Sequence, residues 1–132
     1  MYPGVILAGG GARRLGGNGK AFIEISGTPL VELTIKSFTS QVNNLAINSR
    51  DPKSFSDFDF PIIEDILLED GGAGPLAGIS SAIKWAKTLK HPSTHVAIVP
   101  VDTPFLPTDL IQRMYLDLSI SNADIVMASS ND

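Results

Sequence analysis

VILAGGGARRLGGNGKAF, residues 5–22, sets six glycines, two adjacent arginines and a lysine behind a short apolar run. Such a stretch is a flexible linker, a phosphate loop of the GxxxxGK[ST] kind, or another anion-binding turn. The usual phosphate loop fails twice: Arg14 stands where its first glycine is required, and Lys20 is followed by Ala21 instead of Ser or Thr. The dinucleotide fingerprint GxGxxG fails as well, because Gly9 and Gly11 are followed at the needed place by Arg14. Arg13, Arg14 and Lys20 do not suit a linker. What remains is a glycine-rich turn carrying cations directly after a strand. Glycines let backbone amides approach an anion without Cβ interference. Arg14 offers a planar fork to phosphate oxygens and Lys20 a point charge, a combination suited to a triphosphate.

Composition narrows the setting. The 132 residues are 43% hydrophobic and 18% charged, a globular balance for one domain or part of a larger one. Ten basic against fourteen acidic side chains leave a net charge of −4, which argues against nucleic-acid or anionic-membrane partners. There is no cysteine, so thiol catalysis, disulfides and Cys-based metal sites are excluded. No apolar run approaches the ~18 residues needed to span a bilayer. The N-terminus lacks a basic region ahead of its apolar segment, so no signal peptide is expected. The expectation is a soluble cytoplasmic protein.

Short apolar runs alternate with helical patterns. Val5–Ala8 reads as a buried strand, and Phe22–Ile25 as an extended piece before the turn Ser26-Gly27-Thr28. Pro29 suits the first turn of a helix to about Gln41, with Leu30, Leu33 or Thr34, and Phe38 on one face. Leu45–Asn48 reads as a second strand, Asp51-Pro52 as the start of a short helix or turn, and Pro61–Ile63 as a third strand. Pro75 opens a helix to about Lys90, on which Leu76, Ile79, Ile83 and Ala86 recur at helical spacing. Val96–Val99 reads as a central strand, Thr108–Leu118 as a helix capped by Thr108, and Ile125–Ala128 as a further strand.

This alternation predicts an α/β, Rossmann-like fold: a mainly parallel sheet with helices on both faces. In such sheets ligands bind beyond the carboxyl ends of the strands. The special residues collect there: Gly9–Lys20 after the first strand, Asn48 after the second, Glu64-Asp65 after the third and Asp102 after the fourth.

The run L-A-G-G-x-x-x-R-x-G-G-x-x-K, Leu7 to Lys20, resembles the signature of the nucleoside-triphosphate transferases, and within them the molybdenum cofactor guanylyltransferase branch. Ile63-Glu64-Asp65, Gly74-Pro75-Leu76-Ala77-Gly78 and Val101-Asp102-Thr103-Pro104 agree with it, in order and spacing. Relatives that transfer CMP typically read Leu-Ala-Ala-Gly where this chain has Leu-Ala-Gly-Gly. The family often carries an aspartate before the lysine; here that position is Gly19, which leaves the loop one negative charge lighter.

The resemblance implies a fold of the nucleotide-diphospho-sugar transferase type. It implies transfer of GMP from GTP to the phosphate of molybdopterin, with or without molybdenum, and release of pyrophosphate. It places GTP on Leu7, Ala8, Gly9, Gly10, Lys20, Asn48, Asp65, Gly74, Gly78 and Asp102, with Arg14, Lys20 and Asp102 as the catalytic set. Asp102 on its own residue type is either a turn aspartate or a ligand for Mg²⁺, which takes one or two protein carboxylates; the resemblance assigns it the metal. Asp65 and Asn48 are either ordinary strand-end polar residues or nucleotide ligands, and the resemblance assigns them the nucleotide. Gly74 and Gly78 permit a tight turn and close helix packing, and would also let the backbone approach the base or its sugar. His91 and His95 flank Pro92 and read as surface residues.

Residues 1–132 are then expected to form a single nucleotide-binding domain, the N-terminal part of a longer enzyme domain. Expected partners are GTP and molybdopterin, with other cofactor-biosynthesis proteins and molybdoenzymes, and neither nucleic acid nor membrane. The alternatives are another nucleotidyltransferase, directed to a cytidine nucleotide or a sugar phosphate, and a nucleotide-binding module without turnover.

Overall fold

The computed structural model describes residues 1–9, 19–65 and 74–129. Four parallel strands make one sheet: β1 (Gly4–Leu7), β4 (Leu45–Asn48), β5 (Ile62–Ile63) and β6 (Ala97–Pro100). A separate hairpin joins β2 (Glu24–Ile25) to β3 (Thr28–Pro29). The sheet order is β5-β4-β1-β6. The chain thus steps outward from β1 in one direction and then crosses back to the other side of it. That reversal makes the gap between the ends of β1 and β6 the topological switch point, where an open α/β sheet binds its ligand.

Alternate residues of β1 feed two cores, one on each face of the sheet. Ile6 joins Ile47, Val99 and Val101 in packing against Val31 and Phe38 of α1 (Leu30–Phe38), and against Ile111 of α3 (Leu110–Ser121). Val5 and Ala46 face the opposite way onto Ala82 and Trp85 of α2 (Pro75–Thr88). Helices therefore cover both faces, as the alternating pattern predicts. Among the described residues no helix is long and apolar enough to cross a membrane.

Several local expectations are corrected. The buried stripe of α2 is not Leu76, Ile79 and Ile83 but Ala77, Gly78, Ser81, Ala82 and Ala86. Leu76 is 73% exposed and Ile83 43% exposed. Small side chains bring the helix axis closer to the sheet than a leucine and isoleucine stripe would allow. On α1 the buried member at the ambiguous position is Thr34, whose hydroxyl lies 2.8 Å from Leu30 O and 3.1 Å from Val101 O. Pro29 flanks α1 and belongs to the hairpin, whose turn residues Ser26 and Gly27 both have positive φ, the pattern of tight two-residue hairpins.

Thr108 does not cap α3, which begins two residues later. Gln41 takes that part: its Oε1 accepts from Ile111 N at 3.2 Å, while its Nε2 donates to Pro107 O and Ser37 O at 3.0 and 2.8 Å. The expected central strand, β6, bonds only to β1 and is the edge of the described sheet. Residues 125–128 form no strand, and Ile125 and Met127 are 77% and 83% exposed. An extended segment with no neighbour to bond has nothing to hold it as a strand.

Candidate functional site

The four parallel strands end on one side, and the polar residues expected there meet in two groups. The first is built around Asn48, the last residue of β4 and 2% exposed. Its Nδ2 donates to Ile63 O at 3.1 Å and to Asp65 Oδ1 at 2.8 Å. Two acceptors around one amide nitrogen fix which way the amide faces, because an oxygen in that place would meet only lone pairs. Asn48 thus turns its carbonyl, not a donor, toward Gly78 and Gly9. Asp65 in turn accepts from Arg50 Nε at 3.1 Å through Oδ2, with its side chain 12% exposed.

Two glycines frame that carbonyl. A Cβ at Gly78 would sit 2.7 Å from Asn48 Oδ1 and 3.0 Å from Leu7 Cδ2, too close for either. A Cβ at Gly9 would lie 3.5 Å from Asn48 Oδ1 and 3.7 Å from Asp65 Oδ2. One carboxamide oxygen and one carboxylate oxygen thus lie near Gly9. Gly74 precedes α2 in extended conformation, with open space where its side chain would be.

The second group lies at the switch point. Lys20 Nζ and Asp102 Oδ2 are 3.3 Å apart, although 82 positions separate them in the chain. Lys20 opens a 3₁₀ turn, Lys20–Phe22, and Asp102 follows β6. Gly19 leads into that turn at φ 73, ψ 168, a backbone conformation that only glycine adopts readily. At this position, where the family often carries an aspartate, the positive φ suits the glycine present. Asp102 is not spent on its own turn: Thr103 closes it, donating from Oγ1 to Pro100 O at 2.9 Å. Thr34 supports the same segment through Val101 O.

The donor set suits a hard, phosphate-bound cation. Among the described residues no group of three or more His, Cys, Asp or Glu could hold a metal by itself. One accessible carboxylate, that of Asp102, 44% exposed, matches an ion that fills its remaining positions with phosphate and water. His91 is exposed, and His95 lies at the far end of the sheet, edge-on to Tyr2 at 5.8 Å and bonded through Nδ1 to Thr94 Oγ1. Gly10 and Arg14 lie outside the described residues. Of the remaining expected site residues, Leu7, Gly9, Asn48, Asp65 and Gly78 belong to one cluster, and Lys20 and Asp102 to the other. Ala8 joins them through the backbone, its N–H donating to Asn48 O at 2.8 Å. Arg50 was not singled out from sequence, though an arginine two positions beyond a strand-end asparagine, with an aspartate after the next strand, is a detectable signal.

A family model described as "MobA-like NTP transferase domain" matches residues 4–132. A protein named molybdenum cofactor guanylyltransferase from Rhodopseudomonas palustris (strain HaA2) is 39% identical over 129 residues, covering 97% of this chain and 59% of its own. One of the same name from Shewanella piezotolerans is 38% identical over 126 residues, covering 95% of this chain and 58% of its own. The chain thus spans less than two thirds of the length of these relatives. Among solved structures, molybdopterin-guanine dinucleotide biosynthesis protein A from Archaeoglobus fulgidus superposes with a TM-score of 0.65 at 20% identity, over 91% of this chain and 57% of that one. CMP:2-keto-3-deoxy-manno-octonic acid synthetase, solved with CTP, superposes with a TM-score of 0.68 at 15% identity, over 93% of this chain and 49% of that one. Both show that the chain shares the fold of these proteins, a mainly parallel sheet with helices on both faces.

Proposed function

The chain belongs to the MobA-like NTP transferase domain family, and on that footing we propose that it is the nucleotide-binding part of an enzyme transferring GMP from GTP to the terminal phosphate of molybdopterin, with release of pyrophosphate. The observation that carries this reading is the meeting of Lys20 and Asp102 at the switch point, beside the Asn48–Asp65 cluster. A cation and a carboxylate suited to a metal stand next to a set of acceptors suited to a nucleoside.

The acceptors favour guanine. Both donors of the Asn48 amide are committed, so this group has only the Asn48 carbonyl and the Asp65 carboxylate, both acceptors, left for a base. Guanine carries adjacent N1–H and N2–H₂ donors that match two neighbouring acceptors. The pairing edge of cytosine offers one amino donor beside two acceptors, which would oppose them.

An acceptor phosphate is already ionised near neutral pH, its second pKa being about 6. It needs no general base, in keeping with strand ends that bring no imidazole to the site. The barrier is repulsion between two anions, so catalysis rests on positioning and charge neutralisation. Lys20, with Arg14 and the amides of the glycine-rich stretch, binds the triphosphate. Asp102 would hold Mg²⁺, which would supply further neutralisation of phosphate charge. Asn48 and Asp65 orient the nucleoside, and Gly78 leaves room for the Asn48 carbonyl.

A screen of nucleoside triphosphates with Mg²⁺ by thermal stabilisation tests the nucleotide, since a ligand of the native state raises apparent stability by mass action. GTP should stabilise most; stabilisation by CTP alone would move the protein to the cytidylyl branch. Pyrophosphate release with GTP, Mg²⁺ and molybdopterin, compared with a sugar phosphate as acceptor, tests the transfer. Release with the sugar phosphate alone would overturn the molybdopterin assignment.

A further inference from the structure

Asn48 is useful to a nucleoside only while its amide keeps one orientation, and that orientation depends on Ile63 O and Asp65 together. The Asp65 carboxylate is itself held from behind. Its Oδ1 is bonded to Asn48 Nδ2 at 2.8 Å, and its Oδ2 to Arg50 Nε at 3.1 Å. Arg50 leaves β4 two residues after Asn48, so the same strand end supplies both the amide and the group that anchors its partner. Asp65 is 12% exposed and sits between a neutral amide and a cation. Without the guanidinium the carboxylate would be free to rotate, and the amide would keep only Ile63 O of the two acceptors that fix it.

We propose that Arg50 is a positioning residue for nucleoside recognition. It locks Asp65, Asp65 locks the Asn48 amide, and the Asn48 carbonyl is held as an acceptor between Gly9 and Gly78. This rests on the nucleotide reading of the crevice given above. Arg50 itself need not touch the ligand. A lysine here would keep the charge but not the planar Nε–H directed at one oxygen, so it should replace Arg50 only in part.

Calorimetric titration of the chain with the Mg²⁺ complexes of GTP, CTP and inorganic tripolyphosphate separates this role from a general charge effect. Arg50 is 46% exposed, so Arg50→Gln removes little packing. Arg50→Gln should weaken GTP binding about tenfold, the lower end of what loss of an orienting partner costs. It should narrow the preference for GTP over CTP and leave tripolyphosphate binding unchanged. Arg50→Lys should recover part of both losses. Parallel weakening of GTP and tripolyphosphate would overturn the proposal, because Arg50 would then act on phosphate. Wild-type affinity and selectivity in folded Arg50→Gln would overturn it too, leaving the nucleotide reading in place. A wild-type chain that binds no nucleotide would remove both.

Discussion

Lys20 and Asp102 stand 3.3 Å apart with 52% and 44% of their side chains exposed, so the pair contributes little to stability, about 0–1 kcal/mol. A ligand that separates them, taking the lysine to phosphate, gives up almost nothing. Lys20→Ala should therefore leave the unfolding midpoint nearly unchanged. Loss of a charge-assisted hydrogen bond, about 1.5–3 kcal/mol, should weaken GTP binding by about ten- to a hundredfold in calorimetry. Asp102→Asn removes the charge that suits Mg²⁺ while keeping the shape of the side chain. It should abolish Mg²⁺-dependent pyrophosphate release and reduce nucleotide affinity by a smaller factor, read from parallel kinetic and binding assays. Sequence placed both residues after strands of one sheet, where polar positions collect; that they meet is seen only in the fold. Which half of the Asn48 amide faces the crevice was not legible in sequence. That depends on Ile63 O and Asp65 Oδ1, brought together only when β4 and β5 pair.

At the level of elements, α2 shows packing outweighing apolar periodicity. A leucine and isoleucine stripe is the stronger hydrophobic signal, yet the face of Ala77, Gly78, Ser81, Ala82 and Ala86 is the one buried. The helix must approach closely enough for Gly78 to lie against Leu7 and Asn48. Gly78→Ala tests this cleanly. Helix propensity alone would favour alanine by about 1 kcal/mol, but its methyl group would meet Asn48 Oδ1 at 2.7 Å. The variant should gain no stability in urea titration and should lose GTP affinity. The start of α3 was equally hidden, since its N–H partner comes from Gln41, 70 positions away. Gln41→Ala leaves Ile111 N and Pro107 O without that side chain and should destabilise by about 1–3 kcal/mol, seen as a lower urea midpoint with nucleotide affinity unchanged.

At the scale of the molecule, the parallel sheet and the gathering of polar residues at its carboxyl ends followed from sequence because short apolar runs alternate with helical segments and polar residues cluster after the runs. The order β5-β4-β1-β6 did not follow, nor did the edge position of β6, because periodicity carries no record of which strands pair. That order is what puts the ends of β1 and β6 at one switch point and leaves Tyr2, His95 and Tyr115 in contact elsewhere, around the amino ends of the strands, at ring separations of 5.8 and 5.1 Å. The central claim is that the carboxyl ends of the strands bind GTP–Mg²⁺, and amide-resolved NMR during a GTP–Mg²⁺ titration tests it most directly. Resonances of Gly9, Lys20, Asn48, Asp65, Gly78 and Asp102 should shift together with a single saturation curve, while those of Tyr2, His95 and Tyr115 stay in place. Shifts centred on the Tyr2–His95–Tyr115 end, or no saturable shifts at the strand ends, would contradict the account.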